Sequence, residues 1–163
     1  MLRRSVLLLS VVPSLAFAQD QTVTFASGRV EVVLPASVRV LSNKEKTLVA
    51  VFGPAEDHKL ELTLHDQLAS AVQQDVAEQF VRAQAQKKGR RLREAPGKVL
   101  FMEPGGDFMI EQKPFKALHL QVGFGKSLVV ITLTAPFSEP MSPALSEFLA
   151  KPVNTMVASL RAR

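Results

Sequence analysis

Beyond the first twenty residues, apolar and polar positions mostly alternate, and two stretches of helical spacing interrupt the alternation. The cleanest strand signal is 59–65. Leu60, Leu62 and Leu64 share one face, and Lys59, Glu61, Thr63 and His65 share the other. Before it, 23–33 alternates in part and stops at Leu34-Pro35, 38–41 resumes an extended pattern, and 47–52 is a compact β-branched strand. Polar turns at 43–46 and 53–57 separate these pieces, which together predict an antiparallel meander. A helix is expected next. Val72, Val76, Phe80 and Ala83 recur at helical spacing, widened by Ala69, Ala77 and Val81. Ser70 and Gln73 fit a capping box at its start, and Gly89 is a natural stop.

A second strand group follows. Residues 91–93 and 98–103 lead to Pro104-Gly105-Gly106-Asp107, a strong turn signal, from which 108–112 is expected to pair back. Lys113-Pro114 breaks or bulges the pattern. Leu118, Leu120, Val122 and Phe124 then alternate with His119, Gln121 and Gly123, and Gly125-Lys126 turns the chain into 128–134. After the Pro-rich loop 136–143, Ser142 is expected to cap a final helix with Pro143 at its first position. Leu145, Phe148, Leu149, Val153, Met156, Val157 and Leu160 make its apolar stripe, and Pro152 predicts a kink or two short helices. Arg161 and Arg163 suit the negative end of that helix dipole. The fold class is therefore α+β: an antiparallel β-sheet with a central helix and a C-terminal helix packed on it, in a single domain over 19–163.

Residues 1–18 are different in kind. A short cationic start, an apolar run from Val6 to Phe17 and the ending Ala16-Phe17-Ala18 are the parts of a secretory signal peptide, with cleavage after Ala18. The run is too short to span a bilayer and lacks the polar face of a retained helix. Arg3-Arg4 leaves twin-arginine export open beside the general route. The expected address is the periplasm or the exterior.

This segment changes how the charge is read. The chain carries 20 Lys and Arg against 15 Asp and Glu, a net +5. Removing Arg3 and Arg4 leaves 18 against 15, or +3, which is too weak to argue for nucleic acid. Cysteine is absent, which excludes disulfides, thiol nucleophiles, Cys-ligated metals and a lipid anchor on an N-terminal Cys. A secreted chain without cysteine suits a bacterial envelope. Trp and Tyr are absent too, which counts against a carbohydrate site.

No catalytic constellation emerges. His65 and His119 fall on the polar sheet face and His58 in a turn, all three expected as solvated surface residues without metal-ligand spacing. Gly125-Lys126-Ser127 echoes the end of a phosphate loop, but Leu120 stands where its first glycine belongs, and the segment joins two strands. No nucleophile elbow is present. No cofactor and no metal is expected. The dense basic run Lys87, Lys88, Arg90, Arg91 and Arg93 reads either as a wet helix end or as a contact for an acidic protein or anionic envelope surface. Phe137 and Met141, in the Pro-rich loop, either close over the core's edge or meet a partner.

The order of elements and the opening Val32-Val33-Leu34-Pro35-Ala36-Ser37-Val38-Arg39-Val40 resemble the PsbP-like group, which includes the periplasmic DcrB-type proteins. Val38 stands where that group often carries an aromatic residue. The resemblance implies an α/β/α sandwich around an antiparallel sheet, and a non-enzymatic protein that binds or assists other proteins. It supplies no catalytic residues. The expectation is an exported, soluble accessory protein acting through protein contacts. The alternatives are an immunity protein against a periplasm-targeted toxin and a carrier of a small apolar ligand.

Overall fold

Two short strands open the structure, a computed structural model that describes residues 19–163. The signal segment expected over 1–18 lies outside these residues. β1 (Gln21–Phe25) and β2 (Val30–Leu34) form a hairpin, not the single strand expected over 23–33. The turn between them takes Ala26, Ser27 and Gly28 through positive φ, and lets both Phe25 and Val30 reach the core.

The main sheet has seven antiparallel strands. β3 (Arg39–Lys44), β4 (Thr47–Phe52) and β5 (His58–His65) make the first meander. After α1 (Val76–Lys87), the strands β6 (Leu92–Ala95), β7 (Lys98–Ile110), β8 (Lys113–Phe124) and β9 (Ser127–Pro136) make the second. The order is β3-β4-β5-β9-β8-β7-β6, so the β5–β9 pairing joins the two meanders. The chain ends in α2 (Pro143–Ala150), α3 (Pro152–Ser159) and β10 (Arg161–Ala162).

Parity along the strands sorts the core. Leu48, Leu60, Leu62, Leu120 and Ile131 face Phe148, Val153 and Met156 of α2 and α3, together with Val32 and Leu34 of the small hairpin. Val99, Phe101 and Leu128 face Val81 and Ala85 of α1 on the other side. The fold is thus α+β, a sheet between helices as expected. The helix break at Pro152 and the Ser142 cap are both present, with the Ser142 hydroxyl accepting from the Leu145 N–H at 3.2 Å.

Five local expectations are corrected. α1 begins at Val76, later than the capping box at Ser70 implied, and Asp75 precedes it without a side-chain cap. Its first turn is fixed from outside. The Gly125 carbonyl accepts the Ala77 N–H at 3.0 Å, while Val72 finds no apolar surface and is 92% exposed. Next, 104–107 is not a turn. β7 runs through it to Ile110, because at Pro104 the strand has already outrun β6, and a missing N–H is tolerated on an open edge. Gly105 is absorbed in a bulge between Pro104 and Gly106. Pro114 stays inside β8 opposite Met109, beyond the end of β9. Fourth, Arg161 is not a helix end. It sits in β10 beside β2 and pairs with Glu31, which Arg163 also approaches at 3.8 Å. Last, His58 is no surface turn residue. It begins β5, is 4% exposed, and packs its ring against Phe52.

Candidate functional site

β7 and β8 are the longest strands, and their far ends project past their neighbours. β6 covers only Lys98–Phe101 of β7, and β9 reaches only Phe115 of β8. The overhang closes in a two-residue turn, Glu111-Gln112, with φ of +47° and +65°. It presents apolar side chains on both faces. Phe108 and Phe115 are cross-strand partners with rings 6.2 Å apart, and Met109 stands opposite Pro114. The loop after β9 lies against this arm, where the Phe137 N–H donates to the Pro114 carbonyl at 2.9 Å. The Lys116 ammonium lies 4.0 Å above the Phe137 ring and 3.5 Å from the Glu139 carboxylate. The result is a single apolar end of the molecule. Phe108, Met109, Ile110, Phe137 and Met141 are exposed there by 39, 63, 43, 38 and 47%.

A cavity of about 430 Å3 opens beside this patch, between the arm, the 136–142 loop and α2. Leu118, Ala135 and Leu145 form its apolar wall, and Asp107, Lys116 and Glu139 stand at its rim. Ser138 also lines it. Its hydroxyl oxygen is the one buried side-chain polar atom among the described residues that lacks a hydrogen-bond partner.

The loop's far end is pinned. Asp57 and His58 Nδ1 are 2.6 Å apart, and His58 Nε2 and the Ser142 hydroxyl are 2.8 Å apart. A carboxylate only accepts, so Nδ1 donates to Asp57, and in the neutral ring Nε2 then accepts from the Ser142 hydroxyl. The Ser142 oxygen in turn receives the Leu145 N–H. These three side chains have the members of a catalytic triad, and the Ser142 oxygen is at the same time the cap of α2. Pro143 follows it, so the next residue offers no N–H to a developing oxyanion. The chain of bonds works as a latch that ties α2 to the start of β5, next to the stacked rings of Phe52 and Phe148 at 4.0 Å.

The residues singled out in the sequence fall in two places. Phe137 and Met141 belong to the apolar end and are exposed. The basic run lies elsewhere, along the end of α1 and the outer strand β6. Lys88 is held there. Its ammonium meets both oxygens of Glu103 at 2.7 and 2.8 Å and lies 5.9 Å from the Phe101 ring centre. Lys87, Arg90, Arg91 and Arg93 are exposed and have no ion pair among the described residues. Burial would raise the Glu103 pKa, but Lys88 and Gln121 hydrogen-bond to it and hold it below the usual glutamate range. Sequence reading missed Phe108, Met109 and Ile110 as a surface. Their signal was present as three consecutive apolar residues, which a strand with one buried face does not need.

Among the described residues no group of three His, Asp or Glu is placed to hold a metal, and no helix is long and apolar enough to cross a membrane. No protein-family model matches the sequence, and no curated protein does.

Solved structures do match the fold. A Bacteroides thetaiotaomicron crystal structure overlays with a TM-score of 0.63 at 13% identity, over 89% of this chain and 49% of that one. The chain therefore spans about half the length of that protein. The Ran-binding protein Mog1p of Saccharomyces cerevisiae overlays at 0.50 and 12% identity, over 89% of this chain and 96% of Mog1p. Cyanobacterial PsbP from Synechocystis is also a neighbour, at 0.39 and 13% identity over 95% and 99% of the two chains. At such identities the likeness is one of fold alone.

Proposed function

We propose that this is an exported, non-enzymatic accessory protein that works by holding another protein against its apolar end. One observation carries the reading. Five of the seven large apolar side chains exposed among the described residues gather at the tip of the β7–β8 arm and the loop beside it. Scattered exposed apolar residues are ordinary, whereas a contiguous patch marks a contact surface. Burying such a patch on a partner is favourable by about 25 cal/mol per Å2 of apolar area removed from water. Asp107, Glu111, Lys113 and Lys116 surround it, giving the apolar centre and polar rim of a protein interface. Mog1p carries a similar fold and is a Ran-binding protein, so a fold of this kind accommodates a protein partner. The export assignment rests on residues 1–18, and the envelope address on that segment together with the absence of cysteine.

The test is recovery of a partner from an envelope extract with the tagged protein and with a Phe108→Ser, Met109→Ser, Ile110→Ser variant. These positions lie beyond β6, and the sheet core does not depend on them. The variant should unfold at the same denaturant midpoint and recover at least tenfold less of the partner. Equal recovery would remove the apolar end from the account. Arg90→Glu, Arg91→Glu, Arg93→Glu tests the basic stretch in the same assay, and loss of partner there alone would move the contact to β6.

A further inference from the structure

The Gly125-Lys126 turn lies at the opposite end of β8 and β9 from the apolar arm. A cleft of about 180 Å3 opens beside it, between this turn, the end of β5 and β10. Arg29, His65, Lys126, Ser127 and Arg163 line it, and Asp66 is the one carboxylate in its lining. That carboxylate is already shared by two cations, the Arg29 guanidinium at 2.8 Å and the Lys46 ammonium at 2.7 Å. Glu31, on the neighbouring β2, is likewise shared by Arg161 and Arg163. Lys126 has no ion pair among the described residues, so five cations share two carboxylates here. A cleft lined by one sign of charge focuses its field and concentrates counter-ions. Arg29 is also set in place without a ligand. Its Nε donates to the Ala26 carbonyl at 3.0 Å, and its two terminal nitrogens donate to the Asp66 oxygens at 2.8 and 3.3 Å. A guanidinium has five N–H groups, so two remain for a further acceptor.

We infer that this cleft binds a phosphate group, held by Lys126, Arg163 and the remaining Arg29 N–H groups, with the Ser127 hydroxyl as a neutral donor. A phosphate monoester brings about 1.5–2 negative charges and three strong acceptor oxygens, whereas a carboxylate brings one charge and leaves more of the positive charge unmatched. The volume lies below the roughly 300–1,000 Å3 of drug-sized pockets, which suits one small group. Gly125-Lys126-Ser127 contributes its side chains and not the backbone cradle of a phosphate loop, because the Gly125 N–H is turned to Glu78 at 3.3 Å. Free phosphate, a soluble phosphate ester and the headgroup of phosphatidic acid share the chemistry this site requires. The inference goes beyond the protein-contact reading and stands or falls separately from it, since it uses the other end of the sheet.

Isothermal titration of the protein with inorganic phosphate at physiological ionic strength should show saturable one-to-one binding, with acetate at least tenfold weaker. Lys126→Ala removes a charged donor from a turn, and should weaken phosphate about tenfold while leaving the unfolding midpoint unchanged. The Arg90→Glu, Arg91→Glu, Arg93→Glu variant should stay within about threefold of the parent, because charges beyond a Debye length are screened, and this separates the cleft from net charge. The Phe108→Ser, Met109→Ser, Ile110→Ser variant should bind phosphate as the parent does, which separates the cleft from the apolar end. Co-sedimentation with vesicles of phosphatidylcholine and phosphatidic acid, against phosphatidylcholine alone, identifies the source. Sedimentation that requires both phosphatidic acid and Lys126 assigns the cleft to a lipid headgroup, and phosphate binding without sedimentation assigns it to a soluble phosphate. No saturable phosphate binding, equal affinity for acetate, or binding unchanged in Lys126→Ala would overturn the inference.

Discussion

Individual residues carry three of the tests. Gly123 lies in β8 directly under α1, where an added Cβ would overlap the Ala77 carbonyl and sit 2.7 Å from its carbon. Neither backbone can give way without lifting the helix. Gly123→Ala should therefore cost about 1–3 kcal/mol in urea unfolding. Ser142 both caps α2 and donates to the buried His58 Nε2. Ser142→Ala removes the cap and orphans the ring nitrogen, so about 2 kcal/mol of stability should be lost. Glu103 sets an acid limit. Its folded pKa is lowered, so its contribution is present above the ordinary glutamate range and is lost as pH falls through the lower folded value. Glu103→Gln should be less stable than the parent at neutral pH and should show a shallower loss on acidification. A stability curve with the parent's acid slope would contradict that assignment.

At the scale of elements, legibility depended on whether the deciding force was local. Strand 59–65 was readable because its alternation is imposed by one buried face, and β5 occupies those residues with His58 added. The break at Pro152 and the stop at Gly89 were readable because they follow from the covalent limits of those two residues. The start of α1 was not readable, because the partner of its Ala77 N–H is a carbonyl 48 positions away in sequence, Gly125. Nor was the passage of β7 through Pro104, which depends on where β6 ends. The latch at His58 joins residues 84 positions apart, and no spacing rule announces it. The candidate surface was half legible. Phe137 and Met141 stood out in a loop, while Phe108, Met109 and Ile110 were hidden by the turn expected at 104–107. The true turn, Glu111-Gln112, holds two side-chain-bearing residues at positive φ. Replacing them with Asn-Gly, the preferred pair for such a turn, should raise stability by about 0.5–1 kcal/mol without changing the register. A destabilised Glu111→Asn, Gln112→Gly protein would show that the arm is not closed as described.

On the scale of the whole molecule, the two sides of the sheet and its far end have separate tasks. One side buries the large core under α2, α3 and the small hairpin, and the other takes α1. The arm contributes little to either core, and its exposed apolar residues are kept at the end where the loop and the cavity also lie. That division is why substitutions on the arm are expected to spare stability and remove binding. The measurement that tests it most directly is photo-crosslinking in the envelope with benzoylphenylalanine placed singly at Met109, at Arg91 and at Val72, the last being exposed and before the start of α1, whereas the basic run lies at its end. A discrete adduct from position 109 that is absent from 72 is the predicted result. Adducts only from 91, or equal and diffuse labelling from all three, would contradict the assignment of the apolar end as the binding surface.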